Sequence, residues 1–304
     1  MNEIQLYFEP LISEDSLKDK AIVILNALDI STASREDYIS RIGLFLEFVQ
    51  EKGFSNTSFL DFKRYLASRN DISVSTKAKY MTVTKVFLRE LHKNGIIPDV
   101  TINVKGFKQG KKHKRFGLSQ EEVNILLESM KAMELNCQNS RLKAILSLLI
   151  YQGLRQIEIV RLDVSDICLS RKTALVKGKG HDDKELVDLH PQTVQALKTY
   201  VDICKVRDGA LFVSMSNNNH NGRITTRALR NMVTGSLKKL EIQNSTHGFR
   251  HYFTTRLIEL FKADLLTVQK YTRHHSVETL QVYNDNIGKK ETLQTYYTGF
   301  DFKA

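Results

Sequence analysis

Apolar residues recur every three or four positions along almost the whole chain, and only between 167 and 189 does the spacing shorten to that of strands. A sequence so patterned folds mainly as helices with a small sheet set among them. Three helical runs occupy the N-terminal third. In SREDYISRIGLFLEFVQEKG the apolar stripe is Tyr38, Ile42, Phe45, Leu46 and Val49, with Ser34 as the expected N-cap and Gly53 as the stop. TSFLDFKRYLASRN repeats the pattern with Leu60, Tyr65 and Leu66. SVSTKAKYMTVTKVFLRELHKNG carries Tyr80, Val83, Val86, Phe87 and Leu91 before Gly95. Only 3 prolines in 304 residues suit a helical chain, because proline interrupts helices.

Residues 106–118, GFKQGKKHKRFGL, have no apolar period and read as a basic linker. They separate an expected helical domain at 1–105 from a second domain at 119–304. The second opens on Ser119 and Glu122, spaced as a capping box. RLKAILSLLIYQGLRQIEIVRL then predicts a strongly apolar helix, a break at Gly153 and a short helix. Ile167/Leu169, Leu175/Val176 and Leu186/Val187/Leu189 predict three short strands divided by polar, glycine-containing turns. Helical spacing returns with HPQTVQALKTYVDICK, and Thr226 is the expected cap of RALRNMVTGSLKKL.

Charge is distributed unevenly. Residues 1–62 hold 5 basic and 11 acidic side chains, 63–93 hold 8 and 2, and 106–118 hold 5 and none. Two concentrated basic patches are what a polyphosphate partner requires, although a basic face also simply solubilises a helix. The longest apolar stretch, Ala144 to Tyr151 with Ser147 inside it, falls far short of the ~20 residues that span a bilayer. MNEIQLYFEP has no basic segment leading into an apolar one, so no secretion signal is expected. Cys137, Cys168 and Cys204 are odd in number and widely spaced, which predicts reduced thiols in a cytosolic protein, with neither disulfide framework nor zinc site.

Several polar residues could carry chemistry, and each has a plainer reading. Arg155 follows the Gly153 break with Glu158 three residues on, a phosphate-gripping fork or an ordinary ion pair. Lys179 lies in a glycine-flanked turn, a mobile proton donor or a solvated hairpin tip. His247, Arg250 and His251 share one helical face. The two histidines have the spacing of a zinc pair, but Gly248 stands where a metalloprotease needs glutamate. His274 and Tyr283 would face apart on one helix. Ser276, a candidate N-cap, therefore places the helix start after the histidines.

In order and spacing, GLRQIEIVRL, VKGKG, HGFRHYFTT and HHSVETLQVY resemble the signature boxes of the tyrosine recombinases, the phage integrase family. The resemblance covers essentially the whole chain and is strongest toward Xer-type enzymes and compact mobile-element integrases. It implies a helical, SAM-like core-binding domain joined to a mixed α/β catalytic domain in a C-shaped DNA clamp. It further implies a catalytic set of Arg155, Lys179, His247, Arg250, His274 and Tyr283, supported from behind by Glu158 and His251. Tyr283 would attack the phosphodiester, the arginines and histidines would stabilise the non-bridging oxygens, and Lys179 would protonate the departing 5′-oxygen. Neither metal nor other cofactor is implied.

Lys77, Lys79, Lys85, Arg89, Lys111, Lys112, Lys114, Arg115 and Arg273 are the expected DNA contacts. The implied partners are duplex DNA at an inverted-repeat core site and further copies of the chain, forming a tetramer on two duplexes; the tail 284–304 packs on a neighbouring copy or, in the simpler competing reading, on its own domain. Accessory DNA-bending or directionality proteins complete the set, in a cytoplasmic, nucleoid-associated setting without a membrane. One position departs from the family: the residue before the third-box histidine is usually glycine, and here it is Arg273. A DNA-binding regulator without turnover and a type IB topoisomerase-like enzyme are the alternatives, the first opposed by the filling of all six catalytic positions.

Overall fold

A computed structural model of the chain describes residues 14–108, 117–178, 183–215 and 222–283. The chain divides into two compact units, Met1–Lys111 and Lys112–Ala304. The first contains α1 (Glu14–Ala27), α2 (Thr32–Lys52), α3 (Ser58–Ser68) and α4 (Val74–Lys93). α2 packs on α1, α3 and α4. Its Ile42, Phe45 and Val49 are buried as the stripe predicts. The cap lies one turn earlier than expected: Ser31, not Ser34, accepts a hydrogen bond from the Ser34 amide. On α3 the buried face is Phe59, Phe62 and Leu66 rather than a stripe through Leu60 and Tyr65. Phe62 meets the Phe45 ring edge-on at 5.1 Å, and that contact sets the helix rotation.

The second unit contains α5 (Gln120–Ala132), α6 (Cys137–Tyr151), α7 (Gln156–Arg161), α8 (Pro191–Cys204), α9 (Thr226–Lys239), α10 (Thr246–Leu260) and α11 (Leu265–Thr272). A further helical segment runs over 277–283. α6 is buried on every side from Ala144 to Ile150 and packs against α7, α8, α9 and α10. An all-round apolar helix is stable only as the centre of a core. The Ser119–Glu122 capping box forms as expected, whereas α9 is capped by Thr225, one residue before the expected Thr226.

The strands β1 (Ile167–Cys168), β2 (Thr173–Lys177) and β3 (Lys184–Asp188) form an antiparallel sheet in sequence order. Ala174 pairs with Val187 in the buried layer, while Leu175 and Leu186 pair on the exposed one. β2 packs on α7, so the sheet supports the helix that begins beside Arg155.

The expected reduced thiols need correction. Cys137 begins α6 and Cys204 ends α8, and side-by-side packing brings them into a disulfide with Cα atoms 5.1 Å apart. Their separation of 67 residues hides the pairing from the sequence. Cys168 is free.

Truncation at the centre of α6 should be costly. Leu148→Ala removes a fully buried side chain and is expected to destabilise the protein by about 2–5 kcal/mol in equilibrium urea unfolding.

Candidate functional site

α6 ends at Tyr151, and the chain turns through Gly153 at φ 57° before Arg155 opens α7. A Cβ on Gly153 would lie 2.3 Å from Phe253 Cδ1 of α10, so the turn needs both the conformation and the size of glycine. Arg155 and Glu158 then close on each other. The Arg155 amide donates to Glu158 Oε2 at 2.8 Å, and its guanidinium donates to Oε1 at 2.7 Å. Glu158 is only 1% exposed, which makes the pair part of the interior rather than a surface ion pair.

α10 supplies the second group. Its Arg250, 2% exposed, donates to the carbonyls of Gly153 at 2.9 Å and of Thr272. His247 stands exposed in the first turn. His251, one turn on, is buried edge-to-face against it at 4.6 Å. A Cβ at Gly248 would meet Asn244 Oδ1 at 1.9 Å, so this helix start has little room for a metalloprotease glutamate. Among the described residues, no group of three or more His, Cys, Asp or Glu is placed to hold a metal.

α11 supplies the third group. It stops at Arg273, which adopts the left-handed conformation with φ 55° and ψ 43°. This sharp stop separates His274 from the helix over 277–283, as the placement of Ser276 predicts. His274 Nδ1 lies 2.8 Å from the Thr272 hydroxyl, and its carbonyl accepts from Gln269 at 2.8 Å. Tyr283 packs with Ile258, Val268 and Leu280 and is 6% exposed. Its ring lies 5.0 Å from that of His251 and 6.2 Å from that of His274.

The electrostatics follow from three guanidiniums crowded beside one carboxylate. Burial lowers the Arg250 pKa to about 10, helped by Arg155 and Arg273, yet leaves it charged at neutral pH. Burial likewise drives His274 down to about 3, reinforced by Arg250, Arg155 and Arg273, so its imidazole is neutral. Burial pushes the Tyr283 phenol up, while Arg250 and Arg155 pull it down. For Glu158, burial works to raise the pKa but is outweighed by the charge of Arg273 and the hydrogen bonds from Arg155, leaving it lowered.

The expected residues thus fall into distinct groups. Arg155, Glu158, Arg250, His251, His274 and Tyr283 converge, with His247 against His251, whereas Lys179, Lys111, Lys112, Lys114, Arg115 and the tail 284–304 lie outside the described residues. Two expected DNA contacts are placed otherwise. Lys77 is buried and donates to the Ala67 carbonyl at 3.1 Å, capping the end of α3. The Arg273 side chain, 9% exposed, turns inward to Glu158 at 2.9 Å.

Lys79 and Arg89 are exposed. Lys85 and Arg89 share a groove of about 670 Å³ with Lys105 and Asp99 in the first unit. Sequence reasoning missed Thr272 and Gln269, which hold His274, because a lone hydroxyl and amide leave no periodic trace.

Two measurements test this arrangement. Gly153→Ala should destabilise by about 1–3 kcal/mol in thermal or urea unfolding, through strain and the clash with Phe253. His274 sets a pH dependence. Below its ordinary value of 6.5 an unfolded imidazole takes a proton that the folded one, at about 3, refuses. Protonation in this window favours unfolding, so stability falls as pH drops from 6.5 toward 3. His274→Gln should flatten that slope in urea titrations across acidic pH.

Comparison with known proteins identifies the family and the fold. Residues 117–289 match the phage integrase family. Tyrosine recombinase XerC of Leptospira interrogans is 24% identical over 305 residues, covering 94% of each chain. XerC of Actinobacillus succinogenes is 32% identical over 184 residues, covering 58% of each. Among solved structures, XerH site-specific recombinase bound to palindromic difH substrate gives a TM-score of 0.73 at 20% identity, covering 93% of this chain and 84% of that one. A lambda integrase dimer bound to a COC′ core site gives 0.67 at 14% identity, covering 88% and 94%. At these identities the structures establish a common fold. With its family match spanning 117–289, more than half of its length, the chain belongs to the phage integrase family of tyrosine recombinases.

Proposed function

We propose that the chain is a site-specific DNA recombinase that cuts and rejoins strands through a 3′-phosphotyrosine on Tyr283. The observation that carries this reading is the convergence of Arg155, Arg250 and His274 on a buried tyrosine. Arg155 and Arg250 grip the non-bridging phosphate oxygens and stabilise the charge that develops on them during attack. In the tautomer whose Nδ1 accepts from the Thr272 hydroxyl, neutral His274 carries its proton on Nε2 and can donate it to a phosphate oxygen. His247, exposed at the start of α10, offers a further donor.

Tyr283 Oη attacks phosphorus, the bond to the 5′-oxygen breaks, and Lys179 is the assigned proton donor to that oxygen. The phosphotyrosine retains the energy of the broken bond, so rejoining needs no nucleotide. A 5′-hydroxyl from a partner duplex reverses the step, and two such exchanges pass through a Holliday junction.

The partner is double-stranded DNA at an inverted-repeat core site, held by a tetramer of this chain in the cytoplasm. The XerH and lambda integrase structures contain DNA substrates, and another lambda integrase structure is a tetramer on a Holliday junction. The tail 284–304 is assigned to contacts between copies. Among the described residues no helix is long and apolar enough to cross a membrane.

The test uses a nicked duplex carrying the core sequence that the protein selects from random duplexes, in the presence of chelator. A covalent 3′-adduct should form with the native protein and vanish with Tyr283→Phe; an adduct that survives this change refutes the nucleophile assignment. His274→Ala should slow adduct formation far more than His275→Ala, whose side chain is exposed. Exchange between two duplexes distinguishes recombination from simple relaxation.

A further inference from the structure

Arg273 bears two costs at one position. Its backbone sits in the left-handed region, at φ 55° and ψ 43°, which disfavours every residue with a Cβ relative to glycine. Its guanidinium is also nine-tenths buried, and removing a cation from water is costly unless partners replace the water. A glycine would avoid both costs, and a side chain directed outward would avoid the second. Residues held in such conformations persist where the surroundings over-determine them, and they cluster at functional sites.

The contacts identify what offsets these costs. Arg273 Nη2 donates to Glu158 Oε2 at 2.9 Å. The same carboxylate accepts the Arg155 amide on Oε2 and the Arg155 guanidinium on Oε1. Glu158 therefore receives groups from two chain corners, the start of its own α7 and the end of α11, where Arg273 lies 115 residues further on. Behind it, Glu185 on β3 lies 3.8 Å from Arg273 Nε. Arg273 Nη1 is buried and has no hydrogen-bond partner among the described residues.

We infer that Arg273 is a positioning residue for strand cleavage, gripping the Glu158 carboxylate that also holds Arg155 and thereby fixing the His274 corner against the start of α7. This rests on the recombinase reading and adds to it a residue where the family usually has glycine. Arg273 also returns to the site the positive charge that Glu158 removes. Its charge reaches two other proposed partners of the phosphate, since it helps lower the pKa of Arg250 and of His274.

The experiment measures single-turnover adduct formation on the nicked core duplex at saturating protein, together with DNA affinity and melting temperature. The variants are Arg273→Gly, Arg273→Lys, Glu158→Gln and the Arg273→Gly/Glu158→Gln double. Arg273→Gly should slow cleavage roughly 10- to 100-fold, as expected for loss of a charged hydrogen bond. The DNA Kd should stay within about threefold, and the melting temperature should hold or rise because glycine suits the backbone.

Arg273→Lys, able to reach Glu158 with a single point charge, should fall between the two. In the Glu158→Gln background Arg273→Gly should cost little more, because the shared partner is already changed. Cleavage by Arg273→Gly within about twofold of native, or an equal loss in both backgrounds, overturns the inference alone. A weakened Kd with unchanged cleavage at saturation also overturns it, returning Arg273 to the role of a DNA contact. If the native protein forms no Tyr283-dependent adduct, the recombinase reading falls and this inference falls with it.

Discussion

A guanidinium buried at the centre of the second unit organises the site around it. Arg250 donates to carbonyls at two corners, Gly153 before α7 and Thr272 at the end of α11. These are suitable acceptors for a buried cation. Thr272 lies in the last turn of a helix, where backbone carbonyls lack helical partners and carry the negative end of the dipole. Gly153 can aim its carbonyl inward because it adopts φ 57° beneath Phe253. Burying a charge costs several kcal/mol even after relaxation. Both corners must therefore stay in place for α10 to remain packed, and those corners deliver Arg155 and His274.

How far this was legible in the sequence depended on the range of the interaction concerned. Helical spacing predicted α2, α4, α6 and the three strands because each pattern is written within a few turns. The Ser119 capping box and the helix start after Ser276 were also visible, since their signals lie three residues apart or less. Caps at Ser31 and Thr225 were displaced because neighbouring serines and threonines compete for the same role. The face of α3 was misjudged because Phe62 finds its partner, Phe45, on another helix.

Longer-range pairings left no local sign at all. Arg273 meets Glu158 across 115 residues, and Cys137 meets Cys204 across 67. Lys77 looked like one of several surface lysines until α3 and α4 packed and the Ala67 carbonyl required a donor. The motifs themselves were legible as a set: Arg155, Arg250 and the box holding His274 and Tyr283 are separated in sequence, and their order carried the information. The left-handed corner explains why glycine is usual before the histidine, and the inward course of the Arg273 side chain was not deducible from its charge.

In the proposed reaction the cations that grip the phosphate and those that ease ionisation of Tyr283 are the same groups. Arg155 and Arg250 lower the Tyr283 phenol against the upward effect of its burial. A phosphodiester gripped by those arginines neutralises part of their field, which would weaken their hold on the phenolate when it is needed. Two guanidiniums paired with Glu158, and that of Arg250 nearby, change that balance. With Arg273 sharing the carboxylate, a bound phosphodiester still leaves the site with surplus positive charge in a low-dielectric interior, where such charge acts strongly. An anion would also offset the guanidinium charges that reinforce burial in keeping His274 neutral, raising its proton affinity as negative charge builds on the phosphate. In the proposed reaction the histidine would therefore be strengthened as a hydrogen-bond donor by the substrate, and the corner at Arg273 would hold it where that donation is useful.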